Sequence, residues 1–316
     1  MKAVLKTGSQ RSQKARKSVL SIAMAVLMSG MTFLTPAAMA CNADGKSGIL
    51  PPNNMRINMF TRSLNGIDEK LFGAIVDRVA HVYSPIVAKM GGTLNVEKRW
   101  SDDTVNAFAD RQGSTWSLHM FGGLARHPAV TPDAFMLVVC HELGHQIGGA
   151  PKYNGGRDWA ADEGQADYWG TMKCMRRVIT ESPEIPASFT NRSRIAEPAV
   201  DPSVQSSCTT AHRDAADQAL CIRIGMAGKS LADLFAAFGG PAPKFDTPDK
   251  SVVKVTYDGH PQSQCRLDTY FQASLCTKSY LDDTSDRDPK VGVCIASDGF
   301  KMGVRPLCWY KPGKGE

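Results

Sequence analysis

Residues 131–149 constrain the fold more tightly than any other stretch of the 316-residue chain. Thr131 can cap a helix, Pro132 suits the first helical position, and Asp133 complements the positive end of the helix dipole. The run Phe135-Met136-Leu137-Val138-Val139 that follows is apolar on every side, which predicts a helix at the centre of the molecule. It stops at Gly148-Gly149, with Pro151 beyond. Set into this helix is His141-Glu142-Leu143-Gly144-His145. Four residues bring a helix back to the same face, so both imidazoles can reach one metal ion, and Glu142 can reach a water there without being a ligand.

A catalytic zinc site takes three protein ligands and keeps a fourth position open. The pattern that adds a third histidine three residues after Gly148 fails, because position 151 is proline. A helix predicted over 159–179 supplies the alternative in Ala161-Asp162-Glu163-Gly164-Gln165-Ala166-Asp167. Glu163 and Asp167 lie four apart on one face. Glu163 is the expected third ligand, and Asp167 the acceptor of a ligand histidine's second ring N–H, which fixes its tautomer.

The rest of the chain reads as α+β. A helix is expected over 68–90, with Pro85 kinking or ending its last turn. Alternation predicts strands over 93–100 and 115–121. Further helices are expected near 209–223 and 231–238, with a polar, proline-containing stretch over 182–207 and a cysteine-bearing, turn-rich tail over 286–316. Residues 41–60, rich in Asn, Gly and Pro, read as an irregular lead-in: a short activation segment or simply the mature N-terminus. The main domain is expected over 61–285.

The first forty residues read as a secretory signal peptide, with a basic start, an apolar run over 19–34 and an Ala-x-Ala end at Ala38-Met39-Ala40. A retained membrane anchor is the alternative. This segment holds six of the 37 basic residues and none of the 31 acidic ones, so the remaining chain balances 31 against 31. No basic surplus is left to suggest nucleic acid. All nine cysteines follow the segment. In an oxidising compartment most should pair, and Cys41, first after the cleavage signal, is the candidate odd one and a candidate lipid anchor. Cys140, beside His141, is expected to be packed or bridged.

At this point the sequence resembles a known family. It is similar to the gluzincin metallopeptidases of the HtpX and CAAX prenyl endopeptidase type, whose site is H-E-x-G-H followed by E-x-x-x-D. Asn106-Ala107-Phe108-Ala109 resembles that family's N-A-F-A segment, Gly122-Gly123-Leu124 resembles the end of its edge strand, and Thr131-Pro132-Asp133 resembles its entry to the active-site helix. His260-Pro261 with Arg266 keeps its H-P-x-x-x-x-R spacing. The likeness covers about residues 68–270. Only eighteen positions separate His145 from Glu163, fewer than in the membrane-embedded members, whose multiple spanning helices this chain lacks. A soluble periplasmic branch is the better comparison.

The resemblance implies a zincin-like fold, mostly helical, with a small sheet flanking the active-site helix and disulfides added. It implies one Zn2+ on His141, His145 and Glu163, Glu142 as general base, and His260 and Arg266 near the cleft. Those two either stabilise a developing oxyanion or are structural, Arg266 tying a loop to a carboxylate and His260 serving as a turn residue before proline; Tyr168 is a further donor candidate. The activity implied is a zinc endopeptidase acting on exported or envelope proteins, with a peptide paired along the strand at 115–121 as an exposed edge. Two alternatives stay open: a zinc-containing binding or chaperone-like module, and a metal-free, disulfide-built exported protein. His81, His119, His127 and His212 lack partners at ligand spacing and are expected to be ordinary residues.

Overall fold

A computed structural model describes residues 48–61, 65–153, 158–182 and 199–316. The expected signal peptide over 1–40 and Cys41 lie outside the described residues. Helix α1 (Glu69–Lys89) starts where the Asp68 carboxylate accepts the Leu71 N–H, and it buries Leu71, Phe72, Ile75, Val76, Val79 and Val82. Pro85 does not end it. That residue and His81, the residue four before it, both face solvent, so water can reach the carbonyl that proline leaves unpaired. Gly91, at φ +84°, turns the chain out of α1.

Strands β1 (Thr93–Arg99), β2 (Ala107–Gln112) and β3 (Thr115–Phe121) form a three-stranded sheet in the order β1-β3-β2. β1 runs parallel to β3, while β2 pairs antiparallel with it through the tight turn at Gly113, where φ is +58°. The strand over 115–121 is therefore the central one and has no free edge, which corrects the expectation that it would receive a peptide. The strand next to the central helix is β2, built on the Asn106-Ala107-Phe108-Ala109 segment that periodicity alone left unassigned.

After the short helix α2 (Gly122–Ala125) comes α3 (Pro132–Ile147), with Thr131 Oγ1 accepting the Ala134 N–H. Every residue from Ala134 to Ile147 is buried, as an apolar-all-round helix must be. Helix α4 (Glu163–Trp169) leads into a π-helical stretch (Gly170–Met175) and then α5 (Arg176–Thr180). The expected start at 159 moves to 163 because Asp162 caps the helix through Gln165, while Ala161 forms a bridge with Lys152.

Two glycines let α3 touch α4 and the π-helical stretch that continues it. A Cβ on Gly144 would meet Ala166 backbone at 2.9 Å, and one on Gly170 would meet Cys140 backbone at 3.1 Å. A disulfide between Cys140 and Cys174 joins α3 to that π-helical stretch. The expected helices near 209–223 and 231–238 are instead α6 (Pro202–Ala211) and one long α7 (Ala215–Ala236). Gly228 sits inside α7 where α8 (Ser263–Leu275) crosses, and a Cβ there would meet the Tyr270 Cβ at 2.4 Å. Helix α8 itself carries little apolar periodicity and was not expected.

The cysteine-bearing tail over 286–316 is pinned by disulfides, as its two cysteines predict. Cys276–Cys294 and Cys265–Cys308 tie it down, and Trp309 lies fully buried where a Cβ on Gly164 would meet its ring at 2.2 Å. With Cys208–Cys221, eight cysteines form four disulfides, a pattern that persists in an oxidising compartment. The described part of the lead-in over 41–60 is irregular, and within it Ile49 and Leu50 are wholly buried in the main core.

Candidate metal centre

α3 and α4 cross with His141, His145 and Glu163 facing one another, and one ligand atom from each lies within 4.8 Å of the others. His141 Nε2 stands 3.3 Å from Glu163 Oε2, and His145 Nε2 stands 3.7 Å from Glu163 Oε1. Tetrahedral coordination at zinc-like bond lengths puts neighbouring ligand atoms roughly 3.3 Å apart.

Hydrogen bonds fix the orientation of both rings. The Nδ1 of His141 is 2.7 Å from Asp167 Oδ1, and the Nδ1 of His145 is 2.7 Å from the Ala161 carbonyl. Both partners are acceptors, so each Nδ1 carries a proton and Nε2 is the nitrogen left to bind a metal once the ring is neutral. Among the described residues, no hydrogen-bond partner reaches His141 Nε2, His145 Nε2, Glu163 Oε2 or either oxygen of Glu142. Unpartnered polar atoms cost free energy in a core, and here those of His141, His145 and Glu163 converge on one point. Two imidazole nitrogens and one carboxylate suit a divalent metal, and the chemistry of the donor set admits zinc.

Asp167 is the hub behind the ligands. Its Oδ1 accepts from His141, from Arg266 Nη2 at 2.7 Å and from the Tyr270 hydroxyl at 2.7 Å, while its Oδ2 accepts from Arg266 Nε at 2.7 Å. Burial would raise its pKa, but Arg266 and His141 hold it below the ordinary carboxylate value. Arg266 is thus a positioning residue, tying α8 to the Asp167 carboxylate; its third nitrogen, Nη1, donates to the Ile49 carbonyl at 2.6 Å.

His260 stands closer to the centre, with Nε2 3.6 Å from Glu163 Oε1 and 2.5 Å from the Gly48 carbonyl. Tyr168 is not at the site, since its hydroxyl donates to the Gly303 carbonyl. His119 lies between Glu97 and Asp110, and His212 contacts Arg176. Neither belongs to the trio.

Two residues escaped the sequence reading. The Tyr153 hydroxyl donates to Glu163 Oε1 at 2.7 Å, from a loop with no periodic signal. Tyr270 lies one helical turn beyond Arg266, a spacing that would have marked it had α8 been recognised.

Burial dominates the electrostatics. It pushes the Glu142 carboxyl up to about 8 and the His145 imidazole down to about 4. Burial also works against a charged His141, yet the Asp167 and Glu163 carboxylates overcome it and raise that imidazole to about 9. For Glu163 burial is outweighed by His260, His145 and His141, which hold its carboxyl well below the usual range.

A protonated His141 must lose its proton to bind metal through Nε2. Metal affinity is therefore expected to rise with pH up to about 9 and then level off. Uptake at pH 7.5 should release about one proton or more per ion. Calorimetry in buffers of different ionisation enthalpy measures this directly; heats that do not depend on the buffer would contradict the assignment.

Comparison with protein-family models, with curated proteins and with solved structures finds no match to this chain.

Proposed function

We propose that this chain is an exported zinc metallopeptidase of zincin-like fold that hydrolyses internal peptide bonds. The observation that carries the reading is the buried convergence of three metal-binding side chains, together with the buried carboxyl of Glu142, which feels the charges of His141 and Glu163 and whose oxygens find no hydrogen-bond partner among the described residues. A metal held only for structure has no use for that carboxyl, which the surrounding core otherwise gives no reason to bury.

Zinc bound by His141, His145 and Glu163 would supply Lewis acidity and a water of lowered pKa. Glu142 takes a proton from the attacking water and hands it to the leaving amine. Asp167 keeps His141 in its ligating tautomer, and Arg266 and Tyr270 hold Asp167 in place. His260 offers an N–H beside Glu163, where a carbonyl oxygen gaining charge would lie. β2, at the edge of the sheet and packed on α3, replaces β3 as the strand along which an extended peptide would pair.

The balance of acidic and basic residues outside the first forty gives no pull toward nucleic acid. The four disulfides and the expected export signal support a periplasmic or extracellular setting, with Cys41 as the candidate lipid anchor. The substrates are then exported or envelope proteins.

The purified full chain should contain one zinc per molecule and release new N-termini from an unfolded protein. A chelator should stop the reaction and added zinc restore it. Metal content far below one per chain, or an unaltered substrate in the presence of bound zinc, would remove the peptidase reading. The second result would leave a zinc-containing binding module.

A further inference from the structure

His141, Glu142, His145 and Glu163 are all fully buried, although a peptide must reach them for the proposed activity. The segment that covers the recognising groups is the chain's own Gly48-Ile49-Leu50. The Gly48 carbonyl accepts from His260, the Ile49 N–H donates to the Ala107 carbonyl of β2 at 3.0 Å, and the Ile49 carbonyl accepts from Arg266. The Leu50 N–H donates to Asn106 Oδ1 at 3.1 Å. One tripeptide thus occupies an edge-strand carbonyl, a side-chain amide and two cationic or N–H donors, the set of groups that would read a peptide backbone.

The same segment does not present a bond for cutting. The Gly48 N–H folds back to the Leu50 carbonyl at 3.0 Å, which curls the segment where a peptide paired along a strand is extended. The fit is also tight: a Cβ on Gly48 would fall 1.8 Å from the Ala107 carbonyl oxygen, so only glycine seats there.

We infer that Gly48-Ile49-Leu50 is a built-in plug of the peptide groove, which competes with substrate for Ala107, Asn106, His260 and Arg266 and must leave before a peptide binds. The inference rests on the peptidase reading and adds its regulation. A segment that fills the groove nine-tenths of the time weakens the apparent affinity for an external peptide about tenfold.

The test compares the full-length, zinc-loaded chain with its Gly48→Val variant, using one fluorogenic peptide and amide hydrogen exchange followed by mass spectrometry. The variant should show KM lowered about tenfold with kcat little changed. Exchange at Ile49 and Leu50 should speed up about tenfold or more while α3 stays protected. Should α3 lose protection in Gly48→Val, Ile49→Ala serves as a milder way to unseat the segment, with the same readouts.

An unchanged KM despite faster exchange at Ile49 overturns the plug and makes the segment part of the scaffold. A wild-type chain found with a new N-terminus at Ile49 also overturns it, because the segment is then a substrate. If neither chain cuts the peptide, the peptidase reading has failed by itself. Binding of that peptide to the two zinc-loaded chains then decides the plug, with tighter binding to the variant supporting it and equal binding refuting it.

Discussion

Replacing Glu142 by Gln is expected to remove peptide hydrolysis while leaving one zinc per chain. The substitution keeps size and shape but takes away the group that accepts and returns the proton, a contribution of about 10²–10⁴-fold in rate. Its neighbourhood makes the change unusually clean. Among the described residues neither buried Glu142 oxygen has a hydrogen-bond partner, so the substitution breaks no such bond and stability should change little. The decisive measurement pairs kcat with zinc content. Loss of zinc in step with loss of rate would place Glu142 among the ligands, and an unchanged rate would end the proposed mechanism.

Asp167→Ala is expected to damage the fold and the metal site together. It strips four hydrogen bonds from one buried carboxylate: from His141, Tyr270 and both inner nitrogens of Arg266. What remains is a buried guanidinium facing a void, and breaking a buried pair in that way costs about 3–5 kcal/mol. His141 meanwhile loses the acceptor that fixes its tautomer, which should weaken zinc binding roughly 10–100-fold. Asp167→Asn, which keeps the shape and one acceptor oxygen, should recover part of both. Denaturant unfolding of the metal-free chain reports the first effect and competition with a chromogenic chelator the second. A variant that loses stability but binds zinc normally would make Asp167 a structural residue alone.

How much of this site was legible in the sequence depended on whether its parts were local. The two histidines and Glu142 could be placed because they share one helix whose apolar character is visible residue by residue. Glu163 and Asp167 followed from a four-residue step on the next helix, although their helix begins at an Asp162 cap that periodicity placed four residues too early. Arg266 was carried by resemblance alone. Its partner Tyr270 stayed hidden because α8 is rich in polar residues that find buried partners, and buried polar contacts leave no hydrophobic rhythm to read.

The strand at 115–121 was found but misplaced in the sheet. Alternation records which face of a strand is covered and says nothing about how many neighbours flank it. The long α7 was read as two pieces, because its interior glycines weaken the helical signal where a tertiary contact calls for them. Cysteine pairing could not be read in advance either, as each bridge joins positions that only the folded chain brings near. Least legible was the role of residues 48–50, three among twenty that look like lead-in, because what they touch lies more than fifty residues away.

The bridge from Cys140 to Cys174 has a thermodynamic consequence for the centre beside it. It closes a 34-residue span and starts from the residue before His141, so the two helices that supply the ligands are already held together when the ion arrives. Closing a span of that size favours the folded chain by about 3–4 kcal/mol. Oxidation and ion capture act on the same helix crossing and are therefore coupled equilibria, and coupling is reciprocal. Whatever factor the bridge adds to the hold on the ion, the ion returns to the bridge as resistance to thiols, so chelation and reduction should each sensitise the chain to the other.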